Sequence, residues 1–474
     1  MRAVLVAGEW RDSERSFSVT FPYDGSVVDE VALPDRDDFD SALSCAYQVF
    51  KKKDIQPVYE RIEVLRRAAQ LVEKMASDFV ETIVLEAGKT VREAQTEVSR
   101  AIATLTLCSE EASRLGGEVI QMEKSFSSRG YYGITRRFPV GVVLAITPFN
   151  FPLNLVCHKV GPAIAAGCPV VLKPSRKVPL SSLKLAEVLL EAGLDDRFLS
   201  VVPAESSVAE EFVSDKRVAF VSFTGSAEIG WRLRTLAEKQ HVTLELGGNA
   251  GCIVCSDSNL EFAVKRSVYG AFTNAGQVCV SLQRILVEEA VFDEFVERFV
   301  EETEHLEVGD PRDEKTDMGP MISVDEAQRV KDWVNEDVQK GAELLTPLRV
   351  ENTLFYPLVL TNTGVGMKVW DEEVFAPVVC VEMFEEFEEA VRRIDETKYG
   401  LQAGIFTSDL RRIEYAFKNI HTGALMVNEV PTFRQDGMPY GGVKMSGIGK
   451  EGPRYAIREM TEERLMVLNT LFGG

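Results

Sequence analysis

From about residue 141 onward the chain repeats one pattern: a short apolar run, a loop, then a helix-length segment. That alternation restricts the fold more than any other feature. Residues 142–146, 170–172, 198–202 and 218–223 read as apolar strands, and 155–166 and 181–192 read as helices between them. Parallel strands need a crossover long enough to hold a helix, and such helices cover both faces of the sheet. The expected fold class is therefore α/β, built on a doubly wound parallel sheet. A second stretch of the same kind spans residues 250–428. Ahead of both, residues 37–117 carry apolar positions such as Ile62, Leu65, Ala69 and Val72 at three- and four-residue steps, which predicts helix. The first 30 residues read as short strands and turns. Residues 461–471 read as a strand with no partner nearby in sequence, so they are expected to pair with something distant, in this chain or in another subunit.

A chain of 474 residues has room for two or three domains. Its net charge of −21 argues against nucleic acid or an anionic membrane as partner, since both recruit basic patches. The N-terminal residues lack a signal-peptide pattern, and no uninterrupted apolar run is long enough to span a bilayer. Pro148, Pro152, Pro162 and Pro169 break the most apolar region. A cytoplasmic location is expected. The eight cysteines are sparse and mostly in apolar settings, as reduced buried thiols are. Cys252 and Cys255 form a CxxC with no second pair or histidine cluster, so no metal site is expected.

Four segments could carry chemistry. Phe223-Thr224-Gly225-Ser226 ends a strand and opens a helix, whose N-terminal amides favour an anion such as a diphosphate; an ordinary capped turn fits equally. Lys173 and Ser175 lie just past a strand end, where α/β sheets bind ligands, although a solvated lysine would look the same. Glu245 sits between two leucines, as a carboxylate kept for proton transfer does, or else on the polar side of an alternating strand. Cys279 follows a glycine in a mixed polar loop, which suits a nucleophile or a buried structural thiol. The four histidines lie far away in sequence, so a Cys–His pair has little support.

Taken together, these segments resemble the aldehyde dehydrogenase superfamily along essentially the whole chain. The motifs ITPFNFP, LKPS, SFTGS, LELGGN, GQVC, EEVFAP and MPYGGVKMSGIGKEG occur in the family's order. The tail and the loop FRQDGMP are most similar to the branch holding lactaldehyde and non-phosphorylating glyceraldehyde-3-phosphate dehydrogenases.

The resemblance implies that Cys279 attacks the aldehyde carbon, that Asn150 and the Cys279 amide stabilise the oxyanion, and that Glu245 activates the water that cleaves the thioester. It also implies NAD or NADP as cofactor. Thr147, Lys173, Ser175, Arg176, Gly225, Ser226 and Leu246 would bind it, Glu373 would hold the nicotinamide ribose and Phe375 would pack at the nicotinamide end. Residues 1–120 and 139–245 would form the dinucleotide-binding domain and 246–440 the catalytic domain. A small β oligomerisation element would combine 121–138 with 441–474, giving a homodimer or homotetramer.

Several departures refine this expectation. Arg176 replaces the family's usual glutamate after LKPS; a carboxylate there repels a 2′-phosphate and an arginine attracts one, so NADP is slightly favoured. Ala376 replaces the commoner glycine of EEVFGP. Val278 stands where phosphate-handling relatives often carry arginine. Glu245 argues against a coenzyme A-acylating enzyme, the intact cofactor motifs argue against a non-redox thioesterase, and the presence of Cys279, Glu245 and Asn150 together argues against a non-catalytic binding protein. Arg100, Arg284 and Arg434 are candidates for the substrate entrance, with a small hydroxylated or carboxylated aldehyde such as lactaldehyde as the expected substrate.

Overall fold

The computed structural model describes residues 1–471; the last three positions of the expected 441–474 segment lie outside the described residues. Two sheets dominate. The first has eight strands, in the order Glu9–Arg11, Val4–Val6, Leu199–Val201, Val170–Lys173, Val142–Ile146, Val218–Thr224, His241–Glu245 and Gly447–Ile448. Its five central strands are parallel. The order reverses at Val142–Ile146, which pairs with Val170–Lys173 on one side and Val218–Thr224 on the other. A crevice opens at the carboxyl ends of strands at such a reversal, because the connections leave in opposite directions. Ile146, Lys173, Phe223 and Glu245 mark those ends here.

The second sheet has seven strands, with Ala250–Val254 between Leu282–Glu288 and Gln402–Phe406, again parallel through its centre. Cys252 and Cys255 are buried at this strand, and no group of three or more metal-ligating side chains occurs among the described residues. Among those residues, no helix is long and apolar enough to cross a membrane. The chain end forms Thr461–Asn469, antiparallel to Tyr131–Pro139 over its whole length. Val119–Gln121 lies on the far side of that strand. The distant partner expected for residues 461–471 is thus a strand of the same chain. One edge of the last strand stays unpaired among the described residues.

The helical region resolves into four helices, Arg36–Lys52, Val58–Lys74, Ala76–Ala87 and Val91–Ser113. The last one is capped by Thr90, whose side chain accepts from the Glu93 amide while Glu93 reaches back to the Thr90 amide. One turn on, Glu97 is fully buried. It pairs with Lys89 at 2.6 Å and accepts from the Leu153 and Asn154 amides at 2.9 and 3.1 Å, where helix Asn154–Ala166 begins. A carboxylate at a helix N-terminus meets unpaired N–H donors and the positive end of the helix dipole. The Lys89 ammonium also lies 3.6 Å from the centre of the Phe151 ring. The ion pair therefore pins the loop carrying Asn150. Glu97→Gln leaves the lysine buried without a counter-charge, which typically costs about 3–5 kcal/mol. The expected result is a clear drop in the urea midpoint; an unchanged midpoint would contradict this role.

Candidate active site

A cleft of about 670 Å³ runs between the two large sheets. Asn150, Gly225, Ser226, Glu245, Leu246, Cys279, Glu373 and Phe375 all line it, although they are spread over nearly half of the chain. Thr147, Lys173, Ser175 and Arg176 are not part of this lining. They belong to the neighbouring strand ends of the first sheet, where Lys173 is paired in register with Ile146.

Cys279 reaches the cleft from an unusual turn. Asn274, Ala275 and Gly276 take φ of 52°, 52° and 67°, three left-handed residues in a row. This conformation is costly for residues with a Cβ and must be held from outside. Glu93 supplies one restraint by accepting from the Asn274 amide and the Thr273 hydroxyl. Close packing supplies another: a Cβ on Gly276 would fall 2.0 Å from the Ala376 carbonyl oxygen. Cys279 is half-buried as a residue, and its sulfur lies 2.9 Å from the Tyr440 hydroxyl. Burial pushes its thiol up to about 11, while Tyr440 and Arg434 act in the opposite direction.

Asn150 faces this turn, its amide donating to the Gln277 carbonyl at 3.0 Å. An amide nitrogen carries two N–H groups, so one remains for a ligand. Glu245 is 2% exposed, and neither of its oxygens has a hydrogen-bond partner among the described residues. Burial, and then the charge of Glu451, hold its carboxyl well above the usual range. Glu451 in turn accepts from Lys159 at 2.9 Å and from Arg434 at 3.2 Å.

At the other end, Ser226 caps helix Ala227–Leu236, accepting from the Ile229 amide at 3.4 Å. Glu373 accepts from the Gly248 amide at 3.2 Å, and burial pushes its carboxyl up to about 7. Gly247 is needed for that approach, since a Cβ there would sit 1.9 Å from the Glu373 carboxylate. Phe375, with φ of 53°, packs edge-on against Phe149 with 5.9 Å between ring centres.

These positions form one site that sequence spacing could not connect. The profile of the aldehyde dehydrogenase family matches residues 10–466. The chain belongs to that family. It is 44% identical to the 3-sulfolactaldehyde dehydrogenase of Priestia megaterium over 467 residues, covering 98% of each chain. It is 36% identical to the lactaldehyde dehydrogenase of Methanococcus maripaludis over 476 residues, covering 99% of this chain and 100% of the relative. Aldehyde dehydrogenase 21 from Physcomitrella patens, solved with the reaction product succinate, superimposes with a TM-score of 0.97 at 37% identity, covering 100% of this chain and 99% of that one. The glyceraldehyde-3-phosphate dehydrogenase GapN from Methanocaldococcus jannaschii, solved with NADP, superimposes with a TM-score of 0.92 at 35% identity, covering 96% and 100%.

The protein is thus an NAD(P)-dependent aldehyde dehydrogenase, and the cleft has features that suit such a cofactor. Next to it, the Thr147 hydroxyl is buried without a partner among the described residues, and Gly225 and Ser226 line the cleft at the N-terminal end of the helix that Ser226 caps. Lys173 is buried beside the Ser206 hydroxyl at 3.3 Å, and burial, then Arg176, bring its ammonium down to about 8. Arg176 pairs with Glu205 at 3.1 Å.

Arg284 corrects one expectation. It does not line the cleft. Its strand turns it inward, where the guanidinium is 1% exposed and donates to the carbonyls of Asn249, Arg393 and Ile394. Arg100 and Arg434 do line the cleft. Tyr440, Glu93, Glu97 and Lys159 escaped the sequence reading. Tyr440 was legible within MPYGGVKMSGIGKEG but not as a neighbour of Cys279. Gly247→Ala should displace Glu373 and weaken NAD(P)H binding about tenfold, as the loss of one charge-assisted contact does. Fluorescence titration of the reduced cofactor measures this, and unchanged binding would show that Glu373 is not placed by this contact.

Proposed function

We propose that this dehydrogenase oxidises a short aldehyde carrying an anionic or hydroxyl group, of the sulfolactaldehyde, lactaldehyde or semialdehyde kind. The observation that carries this reading is the pair of guanidinium groups on the cleft wall. Arg100 is held by Asp436 through two hydrogen bonds, at 2.9 and 3.1 Å. Arg434 is held by Glu451 and keeps a buried Nε without a partner among the described residues. Each side chain has five N–H donors, so both retain donors for an anion. The relatives' names agree, since they specify 3-sulfolactaldehyde, aspartate semialdehyde and lactaldehyde.

In this reading the Cys279 thiolate adds to the aldehyde carbon. The Asn150 amide and the Cys279 backbone N–H stabilise the oxyanion. When bound, NAD(P) would supply the hydride acceptor. Glu245 then takes a proton from the water that cleaves the thioester, a task suited to a carboxylate whose proton affinity burial has raised. The Ser226 helix end with Gly225 and Leu246 would hold the diphosphate side, Glu373 and Phe375 the nicotinamide side, and Thr147, Lys173, Ser175 and Arg176 the adenosine side. Arg176 supports NADP, with Glu205 as the partner that a 2′-phosphate must displace.

The dinucleotide-binding part comprises residues 1–120 and 139–245, the catalytic part 246–440, and the strands near 121–138 with 441–471 join protomers into a homodimer or homotetramer. Leu465, Met466 and Val467 support that assembly: they are 54%, 51% and 46% exposed on a strand with an open edge.

The test compares kcat/KM for propanal, lactaldehyde, 3-sulfolactaldehyde and succinate semialdehyde, each with NAD and with NADP. Wild type should prefer an anionic or hydroxylated aldehyde over propanal. Arg100→Gln, remote from the thiol chemistry, should lower only the anionic substrates, by about tenfold or more. A preference for propanal or longer apolar aldehydes, with no effect of Arg100→Gln, would refute the reading.

A further inference from the structure

Tyr440 stands where no step above uses it. Its ring is 3% exposed, and its hydroxyl lies 2.9 Å from the Cys279 sulfur, its sole hydrogen-bond partner among the described residues. The backbone is fixed as well: the Tyr440 and Glu451 amides each donate to the other's carbonyl, at 3.1 and 2.6 Å. The Arg434 guanidinium lies 3.7 Å from the ring centre, and Glu451 holds it there. A cation on the ring face withdraws electron density and makes the phenol O–H a better donor.

We propose that the Tyr440 hydroxyl donates to the Cys279 sulfur and stabilises its thiolate, with Arg434 as a positioning residue acting through the ring. This rests on Cys279 being the nucleophile. The thiol proton leaves to water, Tyr440 keeps its own, and the O–H···S⁻ bond strengthens as charge builds on sulfur. The reverse direction is weak, because an S–H is a poor donor. Burial holds the Tyr440 phenol well above its ordinary range, so it stays protonated where a thiol can ionise.

The charged groups facing the sulfur are of both signs. Tyr440 and Arg434 favour the thiolate, whereas Glu373, Glu245 and burial oppose it. An acidic, buried setting therefore needs a dedicated donor at the sulfur, and Tyr440 is the neutral group that supplies one without adding charge to the substrate space.

Tyr440→Phe removes one oxygen and keeps the ring on which Arg434 rests. Apoenzyme, wild type and variant, is alkylated with iodoacetamide from neutral to strongly alkaline pH, and modified Cys279 is counted by peptide mass spectrometry. The variant's midpoint should lie about one pH unit higher, so that alkylation near neutrality slows about tenfold and recovers at high pH. Superimposable profiles, or a uniform slowing with an unmoved midpoint, would overturn the proposal. Cys279→Ala, assayed for aldehyde oxidation, tests the underlying reading separately. Activity surviving there would remove Cys279 as nucleophile, while the alkylation profiles still decide whether Tyr440 sets the thiol's ionisation.

Discussion

Two carboxylates four residues apart on helix Val91–Ser113 hold the two loops that face each other across the cleft. Glu93 accepts from the Asn274 amide in the turn that leads to Cys279. Glu97 accepts from the Leu153 and Asn154 amides just after Asn150. Residues four apart share one helix face, so a rigid element sets the separation of the two loops. The same face continues through Arg100, bonded to Asp436, and Thr104, bonded to Asn154. A helix that the sequence announces only by its apolar periodicity is therefore the frame on which the site is aligned.

The second constraint is electrostatic. The site buries Glu245 and Glu373 close to a thiol, and burial raises the proton affinity of all three. A raised thiol is a poor nucleophile at neutrality, while a raised carboxyl makes a stronger base once it ionises. The structure separates these demands in space. Lys159 and Arg434 concentrate on Glu451, holding that carboxyl below its ordinary range despite its burial. Arg434 then faces Cys279 through the Tyr440 ring, whereas both oxygens of Glu245 stay without partners among the described residues.

Much of this was legible in the sequence for a physical reason. Strand–helix alternation follows from how parallel sheets must be connected, and residues 142–146 and 170–172 fall on observed strands. The motif residues around Cys279, Glu245 and Asn150 are local signals at strand ends and turns, where α/β folds place ligands. What was not legible depends on side-chain direction and on contacts between distant segments. Arg284 leads into a strand, and its sequence does not show which face it takes. Glu93 and Glu97 look like ordinary helix-face charges until the loops they hold are in place. Tyr440 meets Cys279 across 161 positions of sequence, a contact that only the folded chain shows.

The central claim is that Cys279 carries the substrate as a thioester that Glu245 releases. Its most direct measurement is the mass of the Cys279 peptide after Glu245→Gln enzyme is mixed with aldehyde and NAD(P) and quenched in acid. The account predicts an acyl group on Cys279 in close to stoichiometric amount, matched by a burst of reduced cofactor and slow turnover after it. Full steady-state turnover with Cys279 unmodified, or the acyl group on another side chain, would contradict it.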